Sequence, residues 1–227
     1  MREPISSQTP ETLCAWLCSQ GEREYRADQI LQWVHHKHVA EWSAMTNLTE
    51  PLQRKLSGKF EFSTIKLVRK QGSADTTRKF LWELRDGQFV ESVLIPASPS
   101  FNGDKSDRRT LCVSTQVGCA YGCKFCASGL DGFKRDLEPS EIIDQVLATE
   151  RWHKKQEGVD KRLINTLVIM GRGEPLANYD KLMTALEILN AEWGANIGAR
   201  KITISTSGLA PEIRRLAQQS RQYRLAI

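Results

Sequence analysis

Apolar residues fall into three regimes along the chain. Between about residues 10 and 60 they recur at helical spacing. Thr9 followed by Pro10 predicts a helix start, because proline is tolerated in the first turn, with Leu13, Trp16 and Leu17 on one face. Ile30, Leu31, Trp33 and Val34 predict a second helix over 26–39. A third is predicted after a cap at Asn47 or Thr49, running through Leu52 and Leu56 and stopping at Gly58. From 64 to 96 the period shortens. TIKLVRK, RKFLWELRDG and QFVESVLIP alternate or stay apolar over strand lengths, and Asp86-Gly87 falls where a hairpin turn would. The stretch 97–109, ASPSFNGDKSDRR, is polar and rich in turn formers, so it reads as a loop.

Beyond 109 the two periods alternate. RTLCVSTQ reads as a strand, followed by a helix over 139–153, the strand NTLVIMG and a helix over 179–193. KITISTS, a helix over 211–219, and YRLAI, which begins a fourth strand, complete the series. Such alternation predicts a parallel sheet with right-handed crossovers, and ligands bind beyond the carboxyl ends of its strands. The predicted class is α/β, with a small helical unit (1–62), a β-meander and linker (63–108) and a β/α core (109–227).

Composition leaves this picture standing. With 40% hydrophobic and 26% charged residues, the chain has the balance of a soluble globular protein. No apolar run reaches membrane-spanning length and MREPISSQTPE lacks a signal-peptide core, so the expectation is a cytoplasmic protein without membrane association. Its six cysteines are then expected to be reduced. Charge is uneven: residues 1–62 carry seven Lys/Arg against eight Asp/Glu, and the remainder twenty-five against nineteen. The basic excess is compatible with phosphate binding without establishing it. Cys14 and Cys18 lie one turn apart on the first helix and could suit a metal. No second pair accompanies them, and small half-buried core residues are the simpler reading. His35, His36 and His38 cannot converge on one ion from adjacent helical positions and read as surface.

The densest chemistry lies in LCVSTQVGCAYGCKFCASGLDGFKRDL, residues 111–137. Cys119, Cys123 and Cys126 stand at C-x3-C-x2-C, a spacing that fits no closed tetrahedral zinc set. A four-iron cluster needs one ligand per iron, so three thiolates leave one iron free to bind something else. In the first core strand Cys112, Ser114 and Gln116 share a face, where a buried parallel strand is normally apolar on both. Cys112 therefore reads either as a site residue or as a small core cysteine. Glu91 shares a face with Phe89 and Val93, and reads equally as enclosed or as edge-exposed. GRGEP, residues 171–175, follows the second core strand; its glycines permit close approach and Glu174 can accept from an ammonium.

These residues resemble those of one family. C-x3-C-x2-C after a strand, within CVSTQVGCAYGCKFC and with GFKRDL following, is similar to the RlmN/Cfr family of radical S-adenosylmethionine RNA adenine methyltransferases. The resemblance implies a partial (β/α) barrel of the radical type, with a [4Fe-4S] cluster on Cys119, Cys123 and Cys126 and S-adenosylmethionine on the open iron. It implies that Phe125 contacts the cofactor adenine, that Gly173 and Glu174 hold its amino group, and that Ser205 contacts it too. Glu91 is implied as a base near the target adenine, and Cys112 as the thiol that resolves an enzyme–RNA adduct through a disulfide. The implied substrate is 23S rRNA and, in some members, tRNA, methylated at adenine C2 through a methyl-cysteine. An electron donor would reduce the cluster, and the full-length enzyme would be a monomer. Where the family commonly has methionine, this chain has Arg172.

The family continues past the fourth strand with further cofactor contacts and the methyl-carrying cysteine. The expectation is therefore an N-terminal part of a longer protein, truncated in its fourth strand and inactive alone. Three other readings stay open: methylation at C8, a radical enzyme with another substrate, and a metal-stapled RNA-binding module.

Overall fold

A reciprocal pair of hydroxyls starts the first helix. The structure, a computed structural model, describes residues 2–72, 77–97, 108–158 and 162–227; most of the polar loop predicted over 97–109 lies outside them. In α1 (Pro10–Ser19) the Thr9 hydroxyl accepts from the Thr12 N–H, and the Thr12 hydroxyl accepts from the Thr9 N–H. α2 (Arg26–His35) ends short of the predicted 39, because the chain leaves the helix and His38 takes a left-handed φ of 52°. α3 (Glu50–Lys59) follows Thr49 and runs through Gly58. Two short strands that the periodicity did not indicate, β1 (Glu3–Pro4) and β2 (Phe60–Glu61), pair in parallel where this unit begins and ends. Leu13, Leu17, Ile30, Leu31, Val34, Leu52 and Leu56 fill its interior.

The histidine reading needs correction. His35 is only 2% exposed, packed edge-on against the Trp193 ring, with neither ring nitrogen hydrogen-bonded. It follows Leu31 by four residues, so it falls on the apolar stripe of α2. The exposed His36 reaches the Glu192 carbonyl at 3.0 Å.

The predicted meander is β3 (Ile65–Gln71), β4 (Arg78–Leu84) and β5 (Phe89–Pro96). The turn between β4 and β5 forms at Asp86-Gly87, with Gly87 at a φ of 77° and its N–H donating to the Leu84 carbonyl. The run 109–116, read as one strand, is two. β6 (Arg109–Cys112) belongs to the main sheet, whereas β7 (Gln116–Gly118) leaves it and pairs antiparallel with β8 (Phe133–Asp136). α4 (Pro139–Glu157), β9 (Thr166–Ile169), α5 (Tyr179–Asn190), β10 (Ile202–Ser205), α6 (Ala210–Ala217) and β11 (Arg224–Ala226) complete the alternation.

All but four of these strands form one sheet in the order β11-β10-β9-β6-β5-β4-β3. Its β11, β10, β9 and β6 are mutually parallel, and the meander continues from β6 antiparallel. One face is a core of Leu111, Leu167, Ile169, Ile202 and Ile204. Helix α4 is pinned there by the fully buried Gln145. Its Oε1 accepts from the Ser92 hydroxyl and the Ser114 N–H, both at 2.9 Å, and its Nε2 donates to the Ser114 carbonyl at 3.0 Å. The other face is half-open. Val93, Cys112, Val168 and Thr203 form a register row across β5, β6, β9 and β10 on it.

Burial first, then the charges of His36, His38 and Arg151, push the His35 pKa down to about 3. An unfolded histidine titrates near 6.5, so below that pH the unfolded chain takes up a proton that the folded chain refuses. Stability should therefore fall as pH drops from about 6.5 toward about 3. Urea unfolding followed by tryptophan fluorescence at about pH 7 and about pH 5 should record that loss, and His35→Leu should shrink it. An unchanged pH dependence in His35→Leu would assign the effect to other groups.

Candidate site at the strand ends

Three loops follow β6, β9 and β10, and they are tied together by side chains rather than by strands. The first carries the cysteines. Gly118 turns the chain out of β7 at a φ of 75°, where an added Cβ would sit 1.8 Å from the Gly132 carbonyl oxygen, so glycine is required. Gly122 has a negative φ and open space, and no such requirement. Cys119 then donates its N–H to the Gly132 carbonyl at 3.4 Å, and Cys126 donates to the Cys123 carbonyl at 3.0 Å. All three thiols are free and half-buried. Burial pushes the Cys119 thiol up, against the Tyr121 N–H that favours its thiolate; the Ser128 hydroxyl and N–H pull the Cys126 thiol down. Phe125, implied by the resemblance as a cofactor contact, is 95% exposed beside Cys126.

Gln116 is the tie. Its side chain is 1% exposed. Its Oε1 accepts from the Ala120 N–H at 3.1 Å and from the Glu174 N–H at 2.9 Å, while its Nε2 donates to Asp136 Oδ1 at 2.8 Å. One amide thus joins the cysteine loop, β8 and the GRGEP turn. Gly173 makes the approach possible: its φ is 105°, and a Cβ there would lie 2.6–2.8 Å from Gln116 atoms. Arg172 contributes backbone. Its N–H donates to the Ser114 hydroxyl at 2.9 Å, and its carbonyl accepts from Thr115 and Gln116 at 2.8 and 3.2 Å. Those bonds are made by backbone atoms and call for no particular side chain at 172.

Glu174, 4% exposed, extends the chain of ties. Its Oε1 accepts from the Leu176 N–H at 3.1 Å and its Oε2 from the Ser207 N–H at 2.8 Å, linking the β9 loop to the β10 loop. Each oxygen keeps a second lone pair for an outside donor. Ser205 is half-buried at the end of β10, in register with Ala226. Asn178 closes the floor, its Nδ2 donating to the Thr115 and Leu137 carbonyls at 2.9 Å each.

Cys112 and Glu91 sit on the half-open sheet face. The Cys112 thiol is pushed up by burial, with a Met170 backbone hydrogen bond opposing. Glu91 is half-exposed and ion-paired with Lys79 at 2.6 Å, and its carbonyl accepts from the Ser114 hydroxyl at 2.6 Å. The polar face seen in the sequence is therefore divided. Cys112 faces the open side, whereas Ser114 and Gln116 are spent on struts. The signal for a strut was present in a buried-type strand carrying an amide, but a strut and a ligand-lined lumen look alike in sequence.

The donor set fits a cluster. Three thiols from one short loop, with further acceptors on two adjoining loops, match a group that takes three thiolates and leaves a fourth position open.

Gln116→Met keeps the volume and removes three hydrogen bonds, leaving two N–H groups and Asp136 unpaired. It should cost about 1–3 kcal/mol of stability. In the metal-free chain it should also raise the alkylation rate of Cys119 several-fold while leaving Cys14 unchanged, read by peptide mass spectrometry. Equal Cys119 rates would show that the strut does not hold the loop.

Comparison with known proteins adds to this geometry. Residues 5–62 match the ribosomal RNA large subunit methyltransferase N-terminal domain, and residues 113–226 match the radical SAM superfamily. A probable dual-specificity RNA methyltransferase RlmN of Akkermansia muciniphila is 51% identical over 98% of this chain and 60% of its own length. One from Bacillus subtilis is 42% identical over 100% of this chain and 59% of its own length. The crystal structure of a radical SAM methyltransferase from Sphaerobacter thermophilus superposes with a TM-score of 0.87 at 38% identity, covering 98% of this chain and 62% of that one. The chain spans about three-fifths of the length of the curated relatives it matches.

Proposed function

Because the chain belongs to the radical SAM superfamily and, within it, to the RlmN methyltransferases, we propose that it forms the cluster- and cofactor-binding part of an enzyme that methylates adenine C2 in RNA. One observation carries the reading: Gln116 and Glu174 lock the cysteine loop, the GRGEP turn and the β10 loop together at the carboxyl ends of the parallel strands. Cys119, Cys123 and Cys126 would hold a [4Fe-4S] cluster, with S-adenosylmethionine against Gly173, Glu174 and Ser205 and the Phe125 ring free to close over it. When bound, that pair supplies one-electron chemistry strong enough for a ring carbon too weakly nucleophilic for ordinary methyl transfer.

The chain's own residues have simpler tasks. Glu174 keeps its carboxylate aimed by two backbone N–H groups, so its remaining lone pairs meet an ammonium without reorganising. Glu91 is the proton acceptor on the open face, with Lys79 as its resting partner. Cys112, held as a thiol at rest by burial, loses its proton and forms a disulfide with the sulfur that carries the RNA adduct; that sulfur's bond to the RNA-borne carbon breaks, and the carbon keeps the electron pair and takes up a proton.

The substrates are 23S rRNA and tRNA, in keeping with the dual specificity in the relatives' names, and the site is read as acting on C2 rather than C8 because those relatives are RlmN proteins. The helical unit supports RNA binding. A groove of about 1040 Å³ between it and the end of α4 is lined by Trp33 and Trp152 with Lys37, Lys154 and Lys155, and alternating rings and cations suit unstacked bases and phosphates. An electron donor is the remaining partner. No helix among the described residues is long and apolar enough to cross a membrane.

Anaerobic reconstitution tests the reading. The chain should take up about four irons with broad visible absorption. Cys119→Ala, Cys123→Ala and Cys126→Ala should each abolish the colour, and Cys112→Ala should leave it intact. Absence of iron uptake and of colour would overturn the proposal, and iron loss in Cys112→Ala would overturn the division of roles.

A further inference from the structure

Cys14 and Cys18 have only each other in the sequence, and the fold supplies a third donor. α1 ends at Ser19, the Gln20 N–H closes on the Trp16 and Leu17 carbonyls, and Gly21 turns the chain back at a φ of 78°. That reversal carries Glu24 to the cysteine face of α1. The sulfurs of Cys14 and Cys18 and a carboxylate oxygen of Glu24 all lie within 4.8 Å of one another, with Cys14 half-buried and the other two exposed. Asp28, in the first turn of α2, is near enough for its charge, with those of Cys18 and Glu24, to add to burial in pushing the Cys14 thiol up. Negative charge is thus gathered at one corner of the helical unit.

We propose that Cys14, Cys18 and Glu24 form a binding site for a borderline-soft dication of the zinc class, separate from the cysteine loop. Ligand bonds to zinc of about 2.0–2.3 Å place tetrahedral donors about 3.3–3.8 Å apart, within side-chain adjustment of the arrangement found. Two thiolates select zinc or cobalt over magnesium and calcium, which prefer all-oxygen sets. The fourth position goes to water or to Asp28. Binding forms two metal–sulfur bonds and one metal–oxygen bond and releases the two thiol protons to solvent, with no electron transferred. The ion would staple the end of α1 to the turn that enters α2.

The test uses the full chain carrying Cys112→Ser, Cys119→Ser, Cys123→Ser and Cys126→Ser, which keeps only Cys14 and Cys18 of the six cysteines. Cobalt(II) should bind at one equivalent with a thiolate charge-transfer band, and zinc should bleach it. Adding Cys14→Ser should weaken binding roughly tenfold or more, and Glu24→Gln several-fold. A second measurement needs no cysteine replacement elsewhere. In the otherwise unaltered chain, zinc should protect Cys14 and Cys18 from alkylation, and Glu24→Gln should raise the zinc concentration needed for that protection several-fold. Absence of the charge-transfer band, equal affinity in Glu24→Gln, or no zinc protection would each overturn the site. Neither measurement depends on whether the cysteine loop takes iron.

Discussion

Gln116 lies buried between two loops whose backbone N–H groups have no strand partner. Glu174 would leave a donor unpaired where it is buried, at a cost of about 1–3 kcal/mol, and Ala120 a donor on the more exposed cysteine loop. One side-chain oxygen accepts from both. Glu174 repeats the device one loop further on, through Ser207. A site assembled from three separate loops thereby behaves as one body, and its geometry is set by polar satisfaction rather than by apolar contact. That requirement also explains why Gly173 faces Gln116.

A parallel logic holds the layers together. Asp144 is fully buried on α4 and accepts at 2.6 and 2.7 Å from the Thr64 N–H and hydroxyl, which belong to the segment entering the meander. Burial raises its pKa, while Arg151 and the two Thr64 donors oppose that rise. Glu150, on the same helix, accepts from the Leu163 and Ile164 N–H groups at 3.0 and 2.7 Å and so sets the approach to β9. α4 is consequently the spine of the molecule. It carries the sheet on Gln145, the segment entering the meander through Thr64, and the next strand on Glu150.

Much of this was legible from residue pattern. The Thr9 cap, the Asp86-Gly87 turn, the alternation after 109 and the placing of three loops at strand ends all follow from local rules, and local rules were obeyed there. The failures have specific causes. α2 stopped early because His38 adopted a left-handed conformation that its residue type does not announce. The run 109–116 broke because Ser114 and Gln116 met partners far along the chain, on α4 and in the GRGEP turn. His35 was hidden by a ring, Trp193, that arrives from the segment after α5, distant in sequence. Cys119, Cys123 and Cys126 stood out by spacing alone, but the amide that positions their loop did not, since a buried glutamine has no sequence signature apart from its partners.

The mixed character of the sheet has a consequence for the order of assembly. β4 and β5 meet through a short turn, Phe80 beside Ser92, so their pairing closes a small loop. β6 meets β9 only after the β7–β8 hairpin and all of α4 intervene, Thr110 beside Thr166. Closing the longer loop carries the larger entropic penalty, and pairings of wide sequence separation are the slow ones. Glu174 follows β9, so the acceptor on Gln116 finds its second donor only once that distant pairing exists. The tie that fixes the thiol loop therefore depends on a strand pairing of wide sequence separation, whereas the meander beside it closes locally.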